Sequence, residues 1–326
     1  MTSRATNPAM STSATTPFSA ADAAMGYAFQ TRIALLQSLR RLSADQIFSV
    51  YLETLDDVVF EPDGDAIELL QVKHHKKSAA NLSDASPDLW KTLRVWIEGW
   101  KSGLIPRDSQ LFLVTTASVG IDSAAFHLQV KDRDEAIALQ RLAITATSSK
   151  NSINQTAYRL FRNLPDADQT ALISSIIVLP GTPDITDLDA ELRREVRLAV
   201  RSEHCQSFLS RLEGWWYDRS VRHLRDPAKM SILSTELDFK IADLRDQFHH
   251  EALPVDGDLF EGEVDISSFD GHSFVQQLQI SSIHKKRIAL AIRDYYRAFA
   301  QRSRWVREEL VQVGELGRYE RQLKEA

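Results

Sequence analysis

Two β-rich runs pivot on a single turn. Residues 46–60 are dense in β-branched and aromatic side chains, Asp63-Gly64 is a strong turn signal, and residues 66–74 form a second run of strand character. The pattern predicts a β-hairpin. Side chains alternate across a strand, so Gln71 and Lys73 share one face of the second strand, and Glu53 and Asp57 share one face of the first. Which acid meets Gln71 depends on the turn. A three-residue loop centred on Gly64 places Asp57 opposite Gln71, whereas a two-residue Asp63-Gly64 turn places Asp56 there.

Around this hairpin the periodicity predicts a helix over residues 20–42, where Met25, Phe29, Ile33, Leu36 and Leu39 recur at helical spacing behind Ser19 as N-cap. A second helix opens at Ser86-Pro87-Asp88 and runs through Trp90, Leu93, Trp96 and Ile97. A buried strand follows over residues 109–118. The order helix, strand, strand, helix, strand predicts an α/β domain, a mixed sheet flanked by helices. Further helices are expected over 133–144 and 152–162, and a short apolar run over 173–179 ends at Pro180-Gly181-Thr182-Pro183, the candidate linker. Residues 188–225, 231–249 and 280–313 all carry helical periodicity, and 255–269 form an acidic connector, so the second half is expected to be all-α. The expected division is a disordered tail over 1–18, an α/β domain over 19–180 and a helical domain over 184–326, consistent with a chain of 326 residues.

Composition excludes several classes. No run approaches the roughly 18 apolar residues that a bilayer span requires, and the Ser/Thr/Ala-rich start has no secretory h-region, so no membrane role is expected. The single cysteine, Cys205, is expected to be buried; it cannot form an internal disulfide, which fits a reducing cytoplasm. A net charge of −6 gives no global affinity for polyanions, although eleven Lys/Arg stand against six acids between Ser281 and Ala326. His204, His249 and His250 have no spacing that links them to suitable metal-ligating partners. Trp215, Trp216 and Tyr217 read as core or docking residues of the helical half.

The hairpin is where chemistry is expected. Hydrolysing a phosphodiester needs oxygen ligands for a hard cation and a lysine that orients the attacking water. An acid late in one strand followed by Gln71-Val72-Lys73 in the next resembles the PD-(D/E)XK nucleases. The wider set is Gly26-Tyr27-Ala28-Phe29-Gln30, residues 53–57, Leu70-Gln71-Val72-Lys73-His74 and Asp88-Leu89-Trp90-Lys91-Thr92-Leu93. It resembles the nuclease domain of bacterial anti-phage systems, including effectors of cyclic-oligonucleotide signalling. Leu212-Glu213-Gly214-Trp215-Trp216-Tyr217 and Phe248-His249-His250-Glu251 resemble the C-terminal domain of ABC three-component systems. The pairing is similar to the nuclease subunit of Lamassu-type defence complexes.

The resemblance implies a PD-(D/E)XK-type fold in the first domain and Mg2+- or Mn2+-dependent hydrolysis of double-stranded DNA. Asp57 would be the metal-binding acid, Gln71 would occupy the (D/E) position as a ligand, and Lys73 would be the catalytic lysine. Glu53 would assist with metal or water, and Gln30 would reach the site from the first helix. Gln71 departs from the carboxylate usual at its position, but an amide oxygen also ligates Mg2+. Besides double-stranded DNA, the implied partners are an SMC-like ATPase subunit and a small accessory subunit, with homo-oligomerisation of the active form. His74, His75, Lys76 and Lys77 form a basic run suited to DNA phosphates or to a solvated loop. The competing reading is a degraded nuclease fold that serves as a DNA-binding or scaffolding subunit.

Overall fold

The structure, a computed structural model, describes residues 20–73, 81–183, 187–226, 228, 230–248, 256, 264–281, 284–308 and 310. The expected tail over 1–18, Ser19, the basic run 74–77, His249, His250 and most of the acidic connector lie outside these residues. Two compact units are present. The first comprises residues 1–37, 48–188 and 226–230, and the second comprises 38–47, 189–225 and 231–326. Along the chain the main division thus falls at Leu188/Asp189, just past the Pro180–Pro183 cluster, with short segments of sequence crossing to the other unit.

Helix α1 (Ala20–Ser43) follows the predicted spacing, and Phe29, Ile33, Leu36 and Leu39 are all buried. Next come β1 (Phe48–Leu52), β2 (Val58–Pro62) and β3 (Glu68–Lys73). Residues 46–60 are therefore not one strand, and Glu53, Asp56 and Asp57 do not lie on a strand as expected. Residues 53–57 are the loop of a tight β1–β2 hairpin. Glu53 takes φ 50°, in the left-handed region, and its N–H donates to the Asp57 carbonyl at 3.1 Å, so the chain reverses within five residues. Acidic side chains that favour turns outweigh the β-rich run around them.

The first unit's strands lie in the order β5-β4-β3-β2-β1. β1–β2 and β2–β3 are antiparallel, while β3 pairs in parallel with β4 (Gln110–Thr115) and β4 with β5 (Ile176–Leu179). The sheet is mixed. The parallel pair is joined through α2 (Pro87–Ser102), where Pro87 sits in the first turn and Gly103 closes the helix at φ 74°. Helices α3 (Glu135–Ser148), α4 (Gln155–Arg162) and α5 (Asp166–Ser175) precede β5. The apolar run 173–179 spans the junction between α5 and β5, so the sequence reading missed this helix. One core cluster gathers Leu69, Trp90, Leu93, Trp96, Leu111, Leu113, Tyr158, Phe161 and Val178. Trp90 meets Tyr158 and Phe161 edge-on, with ring centroids 4.5 and 5.7 Å away, which fastens α2 to α4.

In the second unit, residues 188–225 divide into α6 (Leu188–Val196), a 3-10 turn and α7 (Cys205–Arg225). After these come β6 (Ile232–Leu233), α8 (Ser234–Gln247), α9 (Ser273–Ile280) and α10 (Lys285–Arg307). The two-residue β6 corrects the all-α expectation: the described part of this unit is dominated by helices but not exclusively helical. Phe208, Leu209, Leu212 and Trp216 form the buried side of α7, while Tyr217 is exposed. Val275, Ile288 and Ile292 make a smaller cluster between α9 and α10. Cys205, the first residue of α7, is a free thiol and partly rather than fully buried, short of the full burial expected.

Candidate active site

The row of side chains on one face of β3 runs Leu69, Gln71, Lys73. Leu69 pairs with Val59 on β2, and both belong to the core cluster beneath α2. The register Val58↔Leu70 is the one a turn centred on Gly64 produces, and Gly64 takes φ 83°, which glycine reaches without steric cost. Continued one residue outward, it brings Asp57 opposite Gln71. The Gln71 amide nitrogen donates to Asp57 Oδ2, and the Val72 N–H donates to the same oxygen at 2.7 Å. Asp57 Oδ1 makes no hydrogen bond among the described residues.

Asp56 faces elsewhere. It is buried, and its Oδ2 accepts a hydrogen bond from Trp96 Nε1 on α2 at 2.7 Å, while Oδ1 accepts from the Asp57 N–H at 3.0 Å. Burial raises its carboxyl to about 7; the Trp96 hydrogen bond opposes the shift and the neighbouring Asp57 charge adds to it. Asp56 is thus a structural neighbour that titrates near neutrality, and Asp57 is the carboxylate aligned with Gln71.

Lys73 ends β3, half-buried, and its backbone carbonyl accepts from the Thr116 N–H at 3.2 Å. Burial lowers its pKa, Asp57 is the strongest influence holding it up, and Lys91 lowers it further while Asp88 and Asp56 raise it. Asp57, Gln71 and Lys73 therefore share one corner of the sheet, with Asp88 and Lys91 on the N-terminal half of α2 within charge range. Glu53 is exposed in the β1–β2 loop, and no hydrogen bond joins Gln30, half-buried on α1, to Asp57, Gln71 or Lys73 among the described residues. The structure thus brings three of the five sequence-predicted residues together. Trp96 and Lys91, which the sequence reading assigned to a helix without a role in the site, belong to the same corner. Lys91 was marked only by its place in the Asp88–Leu93 stretch, three residues from Asp88, and nothing in the sequence marked Trp96, which lies on the buried side of α2.

Residues 19–156 match the family model described as the Cap4 dsDNA endonuclease domain. Residues 274–326 match C-terminal domain 7 of the ABC-three component systems. Together the matches support a nuclease domain fused to a C-terminal domain of an ABC-three component system, and the first contains every residue of the corner described above. Among solved structures, the chain is similar to the Moraxella osloensis Cap4 SAVED/CARF-domain containing receptor, with 15% identity and a TM-score of 0.42 over 78% of this chain and 59% of that one. It is also similar to the Acinetobacter baumannii Cap4 SAVED/CARF-domain containing receptor with the cyclic trinucleotide 3'3'3'-cAAA, with 13% identity and a TM-score of 0.38 over 73% of this chain and 52% of that one. The chain thus spans less than two thirds of the length of these receptors. No curated protein matches it significantly. Among the described residues, no helix is long and apolar enough to cross a membrane.

Proposed function

We propose that this chain is a metal-dependent endonuclease of the PD-(D/E)XK type that cleaves double-stranded DNA as the effector subunit of an anti-phage defence complex. The observation that carries the reading is the meeting of Asp57 and Gln71 beside Lys73, inside the segment that matches a double-stranded DNA endonuclease domain. The donor set fits Mg2+ or Mn2+. Asp57 has an oxygen that makes no hydrogen bond among the described residues, the Gln71 amide carries a carbonyl oxygen that can ligate a cation, and Mg2+ is commonly held by one or two protein carboxylates with water and substrate phosphate completing the shell. When bound, the ion would supply Lewis-acid stabilisation of charge developing on the phosphate.

The chain's own residues would do the rest. Lys73 presents a partly desolvated ammonium to the phosphate and orients the attacking water, and burial strengthens that interaction by lowering the local dielectric. Asp57 opposes the burial that lowers the Lys73 pKa, and it accepts a hydrogen bond from the Gln71 amide nitrogen. In the helical half, the match to an ABC-three component domain supports docking onto partner subunits, for which an SMC-like ATPase and a small accessory protein are proposed.

A second reading, a degraded nuclease fold that binds DNA or acts as a scaffold, draws on Gln71 in place of a carboxylate. It also draws on the lack of any cluster of three His, Cys, Asp or Glu suited to a metal among the described residues. Supercoiled plasmid incubated with the full chain separates the two. Cleavage in Mg2+ that stops in EDTA and is abolished by Lys73→Ala is expected of the enzyme, because the lysine acts on the transition state. Uncut plasmid under all conditions, or full cutting by a folded Lys73→Ala protein, would overturn the assignment.

A further inference from the structure

Between α2 and α4 lies a pocket of about 180 Å³, lined on the α2 side by Asp88, Lys91 and Arg94 and on the other by Asn154 and Thr156 among others. Asp88, Lys91 and Arg94 recur every three residues, so all three look out from one face of the helix. Two cations against one acid leave this lining net positive. The guanidinium of Arg94 is the informative group: its Nε is buried and has no hydrogen-bond partner among the described residues. A buried unmet donor is costly, and a guanidinium drawn toward an oxyanion in the pocket would gain charge-assisted bonds. Asn154 is anchored in the lining by its amide nitrogen, which donates to the Ala85 carbonyl at 3.0 Å and to the Tyr158 hydroxyl at 3.1 Å. Lys91 is exposed on the helix that the Trp96–Asp56 hydrogen bond ties to the acidic β1–β2 loop, and it lies within charge range of Lys73.

We propose that Lys91 and Arg94 hold a backbone phosphate of the DNA strand, one near the phosphate at Lys73, and so set where the strand lies across the site. Each strand of a duplex presents a charge about every 3.4 Å of helix axis, so a strand running past Lys73 delivers neighbouring phosphates to a basic pocket beside it. The inference rests on the nuclease reading and adds to it: α2 supplies the register of the substrate, while β3 and the β1–β2 loop supply the chemistry. Contact with phosphate rather than with bases makes the pocket indifferent to sequence.

The test is DNA binding by the full chain carrying Lys73→Ala, which leaves the duplex uncut, measured over a range of salt concentrations. Lys91→Ala and Arg94→Gln are added singly and together, with thermal melting to confirm folding. Each single change should flatten the plot of log affinity against log salt by about one unit, equally for unrelated sequences. Arg94→Lys, which keeps the charge but lacks the Nε–H, should recover the slope only in part. Lys91 is exposed, so Lys91→Ala carries the test even if Arg94→Gln does not fold. Unchanged slopes in folded variants, or no DNA binding by any form, would overturn the proposal. Plasmid cleavage by the chain with native Lys73 reads the parent assignment separately. Cleavage with unchanged slopes sinks the pocket alone, and flattened slopes without cleavage support the pocket and sink the nuclease.

Discussion

Asp56 and Asp57 are adjacent and chemically identical, and their surroundings give them opposite parts. Asp56 is turned under α2 to Trp96, while Asp57 is turned along the sheet to Gln71 and the Val72 N–H. Removing the Trp96 donor with Trp96→Phe leaves a buried carboxyl without its side-chain partner and should destabilise the fold by about 1–3 kcal/mol, read by denaturant unfolding. Asp57→Ala should instead abolish plasmid cleavage, with excess Mg2+ restoring part of it if the proposed metal site keeps its other oxygen ligands. Excess Mg2+ should not restore Lys73→Ala. The choice between the two acids was not legible in the sequence, since a one-residue change in turn length exchanges the faces of the strand. Nor was the Trp96 contact, which joins residues forty positions apart. What was legible was the Gln71-Val72-Lys73 row, because alternation along a strand needs no tertiary information.

At the scale of elements, α1 was legible almost to both ends and α2 at its start, whereas residues 46–60 and 173–179 were not. In both places an apolar or β-rich run crosses a structural break, and composition alone does not register where the backbone reverses. The end of α2 is tightly determined. A Cβ placed on Gly99 would come within 2.5 Å of Ile105 Cδ1 and 2.7 Å of its Cγ1, while the Gly99 carbonyl accepts from Leu104 and Ile105. Gly99→Ala should cost about 1–3 kcal/mol by overpacking. In combination with Ile105→Ala the loss should be less than the sum of the two single losses, a coupling that a double-mutant cycle measures. On α8, Glu236 accepts from Arg219 on α7 at 2.7 Å and from the Leu233 N–H at 3.2 Å, and the Arg219 hydrogen bond chiefly lowers its pKa. A depressed carboxyl stabilises the fold above its unfolded value and loses that contribution as pH falls through the lowered folded value. Arg219→Ala should therefore reduce stability at neutral pH by about 1 kcal/mol at most, and the gap to the unmodified protein should close in acid below the ordinary glutamate range. Melting curves recorded from neutral to acidic pH would show it.

For the whole molecule, the second unit is held by ion pairs of unequal weight. Arg211 is largely buried and bridges Asp256, at 3.1 Å, and Glu308, with Arg304 also 3.4 Å from Asp256. Arg40 reaches Glu191 and Glu195 at 2.7 and 3.1 Å from a more exposed position. Arg211→Ala should lower the melting temperature beyond Arg40→Ala, because the Arg211 side chain is itself shielded, 15% exposed against 41% for Arg40, and its ion pairs are less screened by water. The Arg40 pairs carry a further implication. The last turns of α1 are counted with the second unit although they precede the whole sheet in the sequence. A gene cut near codon 184 would separate Arg40 from the two glutamates it serves. Recombination that exchanges nuclease modules between such genes would thus hand the recipient a foreign end of α1. Hybrids should retain stability best when residue 40 and residues 191 and 195 are inherited from the same parent, so that the unit of exchange extends past the sheet into α6.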